Sequence, residues 1–202
     1  MMTDTKRGRP RKFDEDQTLD KIMQIFWEHG YSATSLDQIS AATGLNRPSL
    51  YGAFGSKKDM YLKIVGRFAD LMQTHLRNAG STEIGAKPKL KAIMNAAIDL
   101  YTGKTEMVGA PFGCLAISTL PAEAAQDSEF RAALEAVVAR MDKGFCRLIL
   151  AENENRITEI EAMETAQHLA LLLHGLSIRA RAGDSSEKLK QLATSAVDKI
   201  MN

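Results

Sequence analysis

Apolar residues along this chain recur at three- and four-residue spacing, and few segments alternate apolar with polar positions, so helices are expected throughout. Residues 1–12 are the exception: polar and basic, interrupted by Gly8 and Pro10, they have nothing to bury and read as a flexible arm. Leu19, Ile22, Met23 and Phe26 then form one stripe, predicting a helix over 16–29 that Asp14 to Asp16 favour at its positive end and Gly30 stops. Ser35 and Gln38 have the spacing of a capping box for a short second helix ending at Gly44, with Leu36 and Ile39 facing inward. Asn46 caps a third helix with Pro48 in its first turn, where a missing N–H costs nothing, and Leu50 and Phe54 return to the core. Ser56 caps a longer fourth helix carrying Ile64, Val65, Phe68, Leu71 and Met72.

After Gly80 a helix over 87–101 is expected, then a loop over 103–113 and a short helix ending near Pro121. Asp127 opens a long amphipathic helix with Phe130, Leu134, Val137, Val138, Met141, Phe145 and Leu148 at helical spacing, and two more helices follow over 160–182 and 186–201. The fold class is therefore all-α: a three-helix head joined by a linking helix to a larger helical body. The boundaries expected are 1–12 for the arm, 13–60 for the head and 61–202 for the body.

Composition adds little to this picture until its distribution is considered. The chain of 202 residues is 45% hydrophobic and 25% charged, ordinary for a soluble globular protein, and its net charge is only +1. Yet Lys6, Arg7, Arg9, Arg11 and Lys12 crowd into the arm, a footprint suited to nucleic acid. Two cysteines, Cys114 and Cys146, make no disulfide framework and read as reduced thiols. No apolar run reaches the length of a membrane span and the basic N-terminus lacks the apolar stretch of a signal peptide, so a cytoplasmic protein is expected.

The segment 35–54 carries the chemistry. Two short helices meet at Thr43-Gly44-Leu45, the tight reversal that lets a second helix stand clear of its core and enter a major groove. Arg47 can donate two parallel hydrogen bonds to a guanine edge; Asn46 and Ser49 can reach bases or phosphates; Tyr51 presents a hydroxyl on a rigid stem. Lys57 and Lys58 stand at a helix N-terminus, where free N–H groups also attract phosphate. A plain helical hairpin with solvated Arg, Ser and Tyr is the alternative.

The run TSLDQISAATGLNRPSLYGAFGSKKDMYLKIV resembles the DNA-binding head of the TetR (tetracycline-repressor-like) family of bacterial regulators. The resemblance covers roughly residues 13–65 and rests on Gly44-Leu45, Leu50-Tyr51, Phe54 and Ser56-Lys57 in combination. It implies that Thr34 and Ser35 meet a phosphate, that Arg47, Pro48, Ser49 and Tyr51 face the groove, and that Lys57 meets phosphate. Gly52 and Ala53 stand where relatives often carry larger side chains, which shifts base reading toward Arg47 and the arm. Arg7-Gly8-Arg9-Pro10 resembles the core of an AT-hook, whose arginines enter a narrow minor groove; a solvated basic tail is the alternative.

The resemblance further implies a homodimer through the last two helices, binding a double-stranded operator and a small apolar or amphipathic effector. Leu169, Leu172, Leu173, Leu176 and Ile178, with Leu189, Leu192, Val197 and Ile200, supply apolar surface for a dimer or equally for an intramolecular core. Candidate effector-lining residues are Met94, Ile98, Tyr101, Phe112, Cys114, Met141, Phe145, His168 and Leu172, a pattern that core packing also produces. The stretch Gly109-Ala110-Pro111-Phe112-Gly113-Cys114-Leu115 is similar to a segment of one subgroup of the family. His168 and His174 lie six apart on different helix faces, and no metal spacing or phosphate-binding loop occurs; no metal, cofactor or catalysis is expected. The function expected is a ligand-responsive regulator released from a near-palindromic operator. A constitutive DNA-binding regulator and a helical thiol enzyme using Cys114 are the alternatives.

Overall fold

The computed structural model describes residues 13–107, 110–152 and 157–201, and every regular element among them is a helix. The arm with Arg7 and Arg9 lies outside the described residues, as does Gly109. The helices are α1 (Glu15–Ala33), α2 (Leu36–Thr43), α3 (Arg47–Phe54), α4 (Lys57–Ser81), α5 (Ala86–Tyr101), α6 (Leu115–Ala124), α7 (Ser128–Glu152), α8 (Glu159–Arg181) and α9 (Ser186–Ile200).

Local chemistry sets their ends. The Asp14 carboxylate accepts from the backbone N–H of Gln17 and starts α1. Gly30, at φ 79° and ψ 174°, breaks its helical run, so 31–33 form a separate turn as the glycine predicts. Ser56 and Asp59 cap α4 reciprocally, and Thr158 and Glu161 do the same for α8. Asp127 accepts from the N–H groups of Glu129 and Phe130 at the start of α7.

The expected stop at Pro121 is corrected: α6 continues through it to Ala124. Proline forfeits one rung of the helix there, but Pro121 is exposed, so water can reach the carbonyl left without its donor. The opposite face, with Leu115, Ala116, Thr119, Leu120 and Ala124 buried, holds the helix in place.

Helices α1 to α3 form the head, α5 to α9 the body, and α4 belongs to both. An aromatic cluster welds them. Tyr61 of α4 meets Phe26 at 5.0 Å, Tyr31 at 5.1 Å and Phe130 of α7 at 5.5 Å. Its hydroxyl shares a 2.6 Å hydrogen bond with Thr119 of α6, and burial pushes its pKa up to about 12. In the body, Leu169, Leu173 and Leu176 of α8 and Leu189 and Val197 of α9 are buried inside the subunit. They are therefore spent on the core rather than offered to a partner. What remains outside is a stripe on α8, Glu164, His168, Leu171, Gly175 and Ile178, spaced alternately by four and three, together with Leu192 of α9.

Candidate nucleic-acid interface and effector cavity

The turn between α2 and α3 is built from short-range bonds. Gly44 takes the left-handed conformation at φ 74°, ψ 8°, its N–H reaching the Ser40 carbonyl. Thr43 Oγ1 donates to the Ile39 carbonyl at 2.7 Å and accepts from Leu45 N–H at 3.3 Å. Asn46 Oδ1 accepts from Ser49 N–H at 2.9 Å, which starts α3 with Pro48 in its first turn. Leu50 and Phe54 anchor one face in the core, leaving Arg47, Pro48, Ser49 and Tyr51 exposed on the other. Tyr51 is a large apolar surface left open, at 48% exposure, in a helix whose remaining aromatic is buried.

Two groups are held differently from what residue type alone suggests. Arg47 pairs with Asp37 of α2, Nε at 3.1 Å and Nη2 at 2.7 Å from the same carboxylate oxygen. Lys57 donates to the Thr34 carbonyl at 2.7 Å and lies 4.4 Å from the Tyr31 ring centre; partial burial lowers its pKa. Thr34 is buried with its hydroxyl donating to the Gly30 carbonyl, whereas Ser35 beside it is exposed. Lys58 turns to the body, pairing with Asp127 at 2.8 Å and Glu129 at 2.7 Å.

Beneath the head lies a cavity of about 430 Å³, between the second half of α4 and α7, with α5 and Cys114 at its sides. Its wall is mostly apolar: Phe68, Met72 and Leu76 of α4, Ile93 of α5, and Val137, Met141, Phe145 and Leu148 of α7. Polar lining comes from Gln73, Arg77, Ser81, Lys89, Arg140, Arg147 and Glu152. Of the residues proposed from sequence, Cys114, Met141 and Phe145 are on this wall. Met94, Ile98 and Tyr101 sit fully buried in the core of α5. Phe112 and Leu172 are half-buried away from the cavity, and His168 is exposed on the outer face of α8. Desolvation pushes the Cys114 thiol up to about 11, with the nearby Ile117 and Ala116 N–H groups and the Tyr101 hydroxyl acting against that shift.

Head and cavity meet at one junction that periodicity did not reveal. Trp27 Nε1 donates to the Gly113 carbonyl at 3.0 Å, and its ring packs edge-on at 4.9 Å against Phe68 of the cavity wall. Cys114 N–H donates to Ser177 Oγ of α8 at 2.7 Å. Arg181, at the end of α8, donates to the carbonyls of Trp27 at 3.2 Å, Glu28 at 3.0 Å and Phe112 at 2.9 Å. The first two lie in the last turn before Gly30, where helix carbonyls need outside donors. Contacts across more than sixty residues of sequence leave no local signature, which is why Arg181 was missed; Asp37 lies only ten residues from Arg47, but on a different helix, so helical spacing does not pair them.

No group of three or more His, Cys, Asp or Glu is placed to hold a metal among the described residues. No helix among them is long and apolar enough to cross a membrane.

Comparison with known proteins agrees with this geometry. Residues 19–64 match the family described as bacterial regulatory proteins, tetR family. The chain is 30% identical over 191 residues to the HTH-type transcriptional repressor ComR of Escherichia coli (strain K12), covering 93% of this chain and 89% of that protein. It is 23% identical over 193 residues to the HTH-type transcriptional repressor BdcR of the same strain, covering 96% of this chain and 92% of that one. Among solved structures, a cysteine-substituted form of the TetR family regulator CifR with 26-bp double-strand operator DNA matches with a TM-score of 0.82 and 25% identity, over 94% of this chain and 98% of that one. A TetR regulator from Chloroflexus aurantiacus shares the fold with a TM-score of 0.77 at 18% identity, over 93% of each chain. With its helix-turn-helix, its helical body and these relatives, the chain belongs to the TetR family of DNA-binding bacterial regulators.

Proposed function

We propose that the protein is a homodimeric transcriptional repressor released from a near-palindromic operator by a small apolar or amphipathic effector. The observation that carries this reading is α4, a single helix whose first turns pack in the head and whose second half walls the cavity. An occupant that displaces Phe68 or Leu76 displaces the helix that positions the head, so effector and DNA select different states and each weakens the other. The repressor ComR, similar over nearly the whole chain, supports the sign of regulation.

Each subunit would place α3 in a major groove, with Arg47 reading a base, Pro48, Ser49 and Tyr51 against the groove, and Ser35, Thr34 and Lys57 near phosphate; Arg7 and Arg9 of the arm would add minor-groove contacts. Half-sites are then ~34–36 Å apart or a multiple of that. The stripe of Leu171, Gly175 and Ile178 on α8, with Leu192 of α9, supports dimerisation through the last two helices, since exposed leucine and isoleucine at heptad-like spacing favour helix pairing. Fluorescence anisotropy of DNA from upstream of the protein's own gene tests the reading. Salt-sensitive preference over unrelated DNA is expected. Equal, weak binding to both at low salt by protein stripped of bound molecules refutes it.

A further inference from the structure

The apolar wall of the cavity does not by itself choose among effectors, but the charges at its mouth do. Salt bridges and polar contacts close both ends of the gap between α4 and α7. Arg140 of α7 bonds Gln73 and Asp70 of α4 at one end, and Lys89 of α5 bonds Glu152 of α7 at the other. Between these closures the lining contributes Arg77 and Arg147, both exposed, and neither has a hydrogen-bond or ion-pair partner among the described residues. The lining thus holds four cations and one carboxylate, and the two cations without partners among the described residues are exposed to solvent. A guanidinium presents a planar fork suited to carboxylate, and a rim of arginines disfavours a cationic guest.

We propose that the effector is an amphipathic carboxylate, its acyl or aryl tail against Phe68, Met72, Met141 and Phe145 and its headgroup between Arg77 and Arg147. This rests on the effector-sensing reading above and gives it a chemical class. The molecule also supplies its own reporter. Trp27, the only tryptophan, packs on Phe68 of the wall and bonds the carbonyl of Gly113, next to Cys114 of the wall, so filling the cavity changes its emission.

Trp27 fluorescence titrated with decanoate, decan-1-ol and decylamine below their aggregation concentrations tests the class. Decanoate is expected to bind at least about tenfold more tightly than either of the others. Each methylene removed from the acid should weaken it about fourfold. In Arg77→Gln/Arg147→Gln the preference for decanoate over decan-1-ol should vanish while decan-1-ol binds as before. Equal or tighter binding of decan-1-ol or decylamine by the native protein overturns the proposal without needing the variant, as does a preference that survives both substitutions. DNA release separates the two levels of inference. If the neutral or cationic compounds bind and release DNA as well as the acid, effector sensing stands and the carboxylate class falls. If no compound of any charge binds while DNA is still held, both fall.

Discussion

Replacing Gly113 with alanine adds one methyl group at a point where three parts of the molecule converge. Gly113 has φ +71°, and a Cβ built there would lie 2.7 Å from the Ser177 carbonyl oxygen, 2.9 Å from Ser118 Oγ and 3.0 Å from Ser177 Oγ. The first is backbone of a packed helix and cannot turn away. Left-handed backbone in an L-residue costs roughly 1–2 kcal/mol, and overpacking a rigid site adds roughly 1–3. Any shift that relieves the clash strains the bonds from Trp27 Nε1 to Gly113 and from Cys114 N–H to Ser177, each worth about 0.5–1.5 kcal/mol. With one of the two lost, the total is about 2.5–6.5 kcal/mol, a large fraction of a domain's stability. Gly44→Ala is the internal control: φ there is +74°, but nothing lies within 4 Å of the added carbon, so only the conformational cost of about 1–2 kcal/mol applies. Urea unfolding followed by circular dichroism measures both. If the two variants lose stability within about 1 kcal/mol of each other, close approach to α8 is not what requires glycine at 113, and the clash argument fails.

Three further outcomes are expected. Arg47→Ala should cost about 1–3 kcal/mol of operator affinity and relax sequence preference, whereas Lys57→Ala should weaken all DNA alike and lower the salt slope by about one, both read by anisotropy at several salt concentrations. Because burial holds the Cys114 thiol near 11, iodoacetamide at pH 8 should leave it unlabelled in the native protein and label it in urea, as seen by peptide mass; equal rates would contradict that burial. The hydrogen bond from Lys104 chiefly holds Glu187 at about 2 instead of 4.5, so folding gains from this carboxylate above pH 4.5 and loses that gain as pH falls through about 2. The stability difference between the native chain and Glu187→Gln should therefore shrink across that window, and a constant difference would refute the pairing.

The head was legible because its determinants are local. Ser35 with Gln38, Asn46 with Ser49 and Ser56 with Asp59 lie within one turn of each other, and their bonds follow from spacing. The cavity was not, because Met94 and Ile98 repeat along α5 with the same period as Met72 and Leu76 along α4. Periodicity says which face is apolar; it does not say whether the neighbouring helix fills the space opposite. No local pattern marks Arg77 or Arg147, and only the packing of α4 beside α7 brings them to one cavity. Pro121 misled for a related reason, since its effect on a helix depends on whether water can reach the carbonyl it strands.

The contact between Arg47 and Asp37 bears on how the protein would travel along DNA. Off its target, the guanidinium is already neutralised by a carboxylate on the preceding helix, so α3 contributes little extra pull toward arbitrary phosphates. The pair is solvent-exposed and weakly held, so a guanine edge with two aligned acceptors would readily draw Arg47 away, whereas a mismatched base would offer less in exchange. If Arg47 reads a base as proposed, Asp37 would thereby lower the attraction of α3 to wrong sequences more than to the right one.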